Sequence, residues 1–448
     1  MTASPDALRQ APLYRVLHAL AKGETSSEAL TGACLAAIAR DGHLNAWTWV
    51  DAAGALAAAR ASDDRRAEGK PLGRLDGVPI AVADAFDIAG MPTSLGLPGH
   101  PGLAEQDAHV VRRLRGAGAV FLGKTNLDEA AFGTVGRNPH FGDVRNPVLP
   151  DRAAGGASGG SAAALAAGHA VVALGTDTLG ATRIPAAFCG LVGHKPTLGE
   201  LSARGMAPAL RRLDCPGLLA RAVQDIGLVL PVLAGYDAGD PRSRKRRVPL
   251  APPDWVPGEL KAGVVADLSA LGVDAAVVEN FSAVMARVAS VFGSALPVAL
   301  EIAPLEVAAT RRAALLLMEA EILAAHEARL GGASTRLRWL LDFAQRKSAA
   351  DAARAHRRLD GHVVQVRRLF EQFDVLLLPT VASPPPAWGA EEPANLADLT
   401  ALASLAGCPA LSLPLPGGLG LQLVGAPGSD LRLIELAGIL ASVADTGE

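Results

Sequence analysis

Aromatic side chains are scarce in this 448-residue chain, at 4% of residues against 50% apolar overall. A core of that composition has to be filled by Ala, Leu and Val rather than by rings. Strong charge of either sign is also lacking. A formal net charge of −3 gives no long-range field to gather nucleic acid or an anionic membrane, so neither is expected as a partner. The single basic run, Arg242 to Arg247, is flanked by prolines and reads as a solvated loop. Cysteine is limited to Cys34, Cys189, Cys215 and Cys408, scattered through apolar surroundings without C-x-x-C spacing, which argues for buried free thiols. No H-E-x-x-H or paired Cys/His spacing exists, so neither a metal nor a cofactor is expected. The first residues, MTASPDALRQ, lack a basic stretch followed by an apolar one, and no unbroken apolar run reaches the ~18 residues of a membrane span. A cytoplasmic location is the expectation.

What is present is an alternation of helical and strand-like periods. Residues 5–62 have helical apolar spacing, with Ser and Asp where N-caps are needed. Short β-like runs follow at 78–82, 119–123 and 171–175, separated by helical segments. From about 275 to 372 the pattern is helical again, before strand-like runs at 374–380 and 409–415, the GLQLVG run and a last helix. This predicts an α/β fold, a mixed β-sheet covered by helices on both faces, with a helical insertion. No repeat or long linker forces a boundary, so 1–448 is read as one domain. Within it lie a core at about 70–225, a variable helical region at about 240–372 and a sheet-completing part at 373–448.

Three stretches carry chemistry: GRLDGVPIAVADAFDIAG (73–90), GGASGGSAAALAAG (155–168) and GTDTLGATRIPAAFCGLVGHKPT (175–197). Together with GKTNLDEAAFG, DVLLLPT and SLAGCPALSLP, in this order, the chain resembles the amidase signature family of serine amidohydrolases. The resemblance implies a triad in which one serine attacks an amide carbonyl. A second serine, on a cis peptide, relays the proton, and a buried lysine accepts it. Backbone N–H groups around Thr178, Leu179, Gly180 and Ala181 would stabilise the oxyanion, with Gly156 and Ser158 also lining the pocket.

The departures from that pattern are as informative as the match. The lysine position is Ala83, the cis-serine position Ala157 and the nucleophile position Ala181; the 24 residues between the last two keep the family's register. A methyl group forms no acyl intermediate and carries no proton. Leu179 stands where the family has glycine, placing a bulky side chain near the substrate and making a positive φ there costly. Asp177 and Arg183 read as a structural pair holding the loop. Ser158 and Ser161 read as caps of a helix starting near Gly159, and Thr182 as pointing away from the place of residue 181. Lys124 and Lys195 read as structural ion pairs or surface groups. His194 reads as an ordinary core or surface histidine.

The expectation is an amidase-fold protein without hydrolytic activity, acting as a binding, scaffold or regulatory subunit. The alternative is an amidohydrolase of small amide or urea-derived substrates whose triad was replaced or relocated. Partners implied by the resemblance are a protein subunit or a second copy of the chain, and a small molecule in the pocket. The resemblance implies that substrate choice falls largely to the variable helical region, roughly 240–370, which carries no recognisable binding motif and whose apolar content reads as core.

Overall fold

The computed structural model describes residues 4–99, 101–245, 255–293 and 296–444. The end of the basic Arg242–Arg247 segment, from Arg246 onward, lies outside the described residues. Among the described residues eleven strands form one sheet: β1 (Trp47–Val50), β2 (Pro79–Ala83), β3 (Val120–Thr125), β4 (Val172–Thr176), β5 (Val192–Lys195), β6 (Pro216–Ala220), β7 (Ala262–Val265), β8 (Val298–Leu300), β9 (Val375–Pro379), β10 (Ala410–Leu415) and β11 (Leu419–Gly425). Their order is β1-β3-β2-β4-β6-β5-β10-β11-β9-β7-β8. β2 runs parallel to both β3 and β4, whereas β4, β6, β5, β10, β11 and β9 pair antiparallel in succession, so the sheet is mixed.

The period-2 rule shows how both faces are covered. Ala81, Leu122, Ala173 and Leu219 pack with Ala162 to Leu165 of the Gly159–Ala166 helix on one face. Their strand neighbours Ile80, Val82, Phe121, Leu174 and Leu218 pack into the larger cluster on the other. Small residues on the first face let that helix lie close to the sheet. At Gly160, for example, a Cβ would fall 2.4 Å from the Asn126 carbonyl oxygen.

The strand-like runs at 78–82, 119–123, 171–175, 374–380 and 409–415 each fall within two residues of an observed strand. The stretch read as helical between 240 and 372 also carries β7 and β8, which extend the sheet in parallel beyond β9. Their runs of three and four residues are too short to show a period against the surrounding helices. The 18 residues Ala275–Phe292 reach a mean hydropathy of 1.4. Val277, Phe281, Val284 and Val288 recur there at helical spacing and are buried, giving the helix one apolar stripe.

Candidate functional site

Because β3, β2 and β4 are parallel neighbours, their C-terminal ends emerge along one edge of the sheet, where α/β folds collect ligand sites. Ala83 ends β2, aligned with Thr125 at the end of β3, and β4 ends at Thr176. The loop after β4 carries Asp177 to Thr182. Beside it runs the glycine-rich segment that enters the Gly159–Ala166 helix.

The two loops are tied by backbone: Ser158 N–H donates to the Ala181 carbonyl at 3.0 Å, which sets Ala157 and Ala181 side by side. The peptide between Gly156 and Ala157 is cis. Ala157 is fully buried, as is Ala83, whereas Ala181 is half-buried and lines a cavity. Ala83 does not reach that cavity.

The serines at the helix entrance do not act as caps. Ser158 occupies the N-cap position, but its Oγ donates to the Thr176 carbonyl (3.2 Å) and accepts from Thr176 N–H (2.9 Å). The adjacent end of β4 offers it a donor and an acceptor together, and that outcompetes the helix terminus. Ser161 lies inside the helix, its hydroxyl bonded to Thr125 Oγ1 (2.6 Å) and the Leu174 carbonyl (3.2 Å). Thr182 Oγ1 donates to the Thr176 carbonyl at 2.8 Å, turned into the protein.

The loop's shape is held by ions. Arg183 Nε and Nη2 donate to Asp177 Oδ2 (2.9 Å) and Oδ1 (2.8 Å), a bidentate pair with both side chains fully buried. Arg183 also reaches the Thr400 carbonyl, Gln422 and Ser404, so every branch of the guanidinium is engaged. Burial pushes the Asp177 carboxyl upward, but Arg183 beside it, helped by Lys195 and the Gly180 N–H, holds it below the ordinary carboxylate value.

The left-handed backbone falls on Gly180 (φ +115°), not on Leu179. A Cβ at 180 would stand 2.1 Å from Thr400 Oγ1, so the position excludes other residues by conformation and by space. Leu179 has no positive φ, which removes the expected backbone cost; its carbonyl accepts from Thr400 Oγ1 (2.8 Å) and its side chain borders the cavity. Thr178 Oγ1 donates to Asp214 Oδ1 at 2.8 Å. Gly180 N–H is taken by Asp177 (2.8 Å), while no described acceptor takes the N–H of Thr178, Leu179 or Ala181.

Gly156 is constrained by a carboxylate from the GKTNLDEAAFG stretch. Asp128 is fully buried and accepts from Gly136 N–H and Arg137 N–H, both at 2.9 Å. A Cβ on Gly156 would lie 1.8 Å from Asp128 Oδ2. Burial, reinforced by Glu392, pushes the Asp128 carboxyl up to about 7. Lys124 forms an ion pair as expected, whereas Lys195 is neither ion-paired among the described residues nor on the surface. Lys124 bonds Asp84 (2.9 Å), the Pro92 carbonyl and Thr93, and burial pulls its pKa down although Asp84 opposes this. Lys195 bonds the carbonyls of Pro196 and Cys408 and is wholly buried. His194 is buried with neither ring nitrogen hydrogen-bonded among the described residues, and burial draws its pKa down to about 4.

The cavity has a volume of about 690 Å³. Gly156, Thr178, Leu179, Ala181 and Ile184 form one wall; the opposite lining comes from the Val307–His326 helix, Trp339 and the 391–397 segment. The variable helical region is therefore part of the site, and not core alone. Its hydroxyls are spoken for: Thr134 donates to Glu392 (2.6 Å) and Thr178 to Asp214. No Ser, Cys, Lys, His or Tyr borders it among the described residues. Glu319 does border it, 6% exposed, its Oε2 without a hydrogen bond, and burial pushes its carboxyl up to about 7. A signal for Glu319 is present in the sequence: a carboxylate three and seven residues from Leu316 and Arg312 inside an apolar helical run.

A family model described as Amidase matches residues 29–434. A glutamyl-tRNA(Gln) amidotransferase subunit from Salinispora arenicola (strain CNS-205) is 37% identical over 476 residues, covering 94% of this chain and 95% of that protein. The same-named subunit from Salinibacter ruber (strain DSM 13855 / M31) is 45% identical over 264 residues, 57% of this chain, and the chain spans only about half (50%) of that relative's length in the match. A solved structure titled as that of an amidase superposes with a TM-score of 0.86 at 33% identity, covering 96% of this chain and 99% of the other.

Proposed function

The chain belongs to the amidase family, and on that premise we propose that it does not hydrolyse amides but binds a small molecule in the cavity beside residue 181, as a binding, scaffold or regulatory subunit. The observation that carries this is the methyl group at Ala181, in a loop whose frame is otherwise complete. The Asp177–Arg183 pair, Gly180 and the unengaged N–H groups of Thr178, Leu179 and Ala181 make a pocket for a polar ligand atom, with nothing there to attack it. Ala83 and Ala157, the other two positions of the family's triad by resemblance, are likewise methyl groups in the core. No hydroxyl or lysine substitute stands nearby among the described residues: Ser158, Ser161 and Thr182 are bonded into the sheet, and Lys124 is held by Asp84.

An amidohydrolase with relocated chemistry is the second reading, and Glu319 is what favours it. A carboxyl that titrates near neutrality is able to activate water. Purified protein assayed against a panel of small aliphatic and aromatic amides separates the two. We expect no turnover above the uncatalysed rate, and none in the Glu319→Gln variant. Enzyme-like turnover by the unmodified chain would overturn the proposal, and a fall in kcat with KM unchanged in Glu319→Gln would assign the relocated base to it. The variant carrying Ala83→Lys, Ala157→Ser and Ala181→Ser together is the positive control.

Relatives named as subunits of an amidotransferase support a protein partner for this chain. Co-purification from the source cell, with a stoichiometric second protein as the expected result, tests that part.

A further inference from the structure

The Val307–His326 helix presents Arg312, Leu315 and Glu319 to the cavity, with Met318 beside them. Positions i, i+3 and i+7 share one helical face, and seven residues advance about 10 Å along the axis. The inner end of this face is a carboxyl with no partner at Oε2, 6% exposed among apolar neighbours. A buried polar group without a hydrogen bond is costly to keep, and it points to a ligand that supplies one.

The outer end is a cation open to solvent. Arg311 and Arg336 are bound by Asp398 and Glu392, and Arg137 by the Ala390 carbonyl. Arg312, exposed at the mouth, has neither an ion pair nor a hydrogen bond among the described residues. Between the two ends, Leu315 and Met318 offer only apolar surface. The face therefore reads as cation, apolar spacer, carboxyl.

We propose that the cavity binds linear ω-amino acids: an alkyl chain with a carboxylate held by Arg312 and an amine held by Glu319. This rests on the reading of the cavity as a binding site, and it adds the ligand class. Once ionised, the Glu319 carboxylate accepts hydrogen bonds and does not donate them, so an ammonium with three N–H donors meets it, while a second carboxylate meets repulsion. Guanidinium pairs with a carboxylate in bidentate fashion at the other end. The methylenes lie on Leu315 and Met318. An α-amino acid, whose charges are separated by one carbon, cannot span both ends.

Titration followed by Trp339 fluorescence, and confirmed by calorimetry, tests this with 7-aminoheptanoate against heptanoate, heptylamine and 3-aminopropanoate. The ω-amino acid is expected to bind at least tenfold more tightly than any of the other three. Glu319→Gln is expected to reduce its affinity to that of heptanoate, and Arg312→Gln to that of heptylamine. Equal binding of a one-ended or short probe, wild-type affinity in either variant, or no saturable binding at millimolar concentration overturns the proposal. Arg312 is exposed, so its variant keeps the test usable even if Glu319→Gln folds poorly. Amide turnover by the unmodified chain with this binding pattern intact would end the non-hydrolytic reading and leave the ligand assignment standing; absent turnover with absent binding would do the reverse.

Discussion

The two walls of the cavity are built on opposite principles. On the wall that follows β4, the side chains of Asp177, Thr178, Thr182 and Arg183 each have a named partner, and Gly180 is locked by Thr400. On the helical wall, Glu319 Oε2 and Arg312 have none among the described residues. A saturated network keeps a shape without a ligand, whereas unsatisfied groups wait for one. The side chains of the first wall therefore form a scaffold that leaves only its backbone N–H groups for a ligand, and side-chain recognition falls to the second wall, drawn from the region with the least motif content.

That contrast is broken most severely at Arg183. Replacing it by Ala leaves Asp177 buried and unpaired, and a loss of about 3–5 kcal/mol in stability is expected by urea unfolding. Gly180→Ala comes next. A Cβ at 2.1 Å from Thr400 and a φ of +115° should together cost about 2–3 kcal/mol, read by the same unfolding curve.

Glu319→Gln sharpens the contrast because its sign reverses with the wall. The folded carboxyl titrates near 7 against an ordinary 4.5, so between those values the native state holds a proton that the unfolded chain has released. Wild-type stability therefore falls as pH rises from about 4.5 to 7, by on the order of 1–2 kcal/mol once solvent reaching the cavity is allowed for. Glutamine does not titrate. Its variant is expected to match wild type at pH 4 and to exceed it in Tm at pH 8; the same Tm difference at both would remove the buried-acid assignment. The smallest effect belongs to Arg312→Gln, within about 0.5 kcal/mol of wild type, since an exposed unpaired cation contributes little to the fold.

How far the site is legible from residues alone differs between the walls for the same reason. Asp177 and Arg183 are six positions apart, close enough for the loop itself to announce their pairing. Thr182 turns its hydroxyl into the protein, as expected, but the segment is a turn with Thr182 in the αR region, so strand alternation is not the reason. Ser158 has the local context of a cap, but its competitor, Thr176, is supplied by a strand 18 residues on. The positive φ expected at Leu179 falls instead on Gly180, and the contact that fastens this loop comes from Thr400, 221 residues from Leu179. Glu319 is legible only as a carboxylate inside an apolar helical run; that its neighbours Leu315 and Met318 line a cavity is decided in space.

The sequence by itself determined the periodicities that make the central strands and helices, the small residues that let a helix lie on the sheet, and the three alanines at 83, 157 and 181. These follow from residue type and local spacing, which no later packing alters. The tertiary structure alone decided that Thr400 would fasten Leu179, that Asp214 would hold Thr178 and that Glu319 Oε2 would be left without a partner. Hydrogen-bond satisfaction is a property of groups brought together across the chain, and here the groups that meet are separated by 36 to 221 residues.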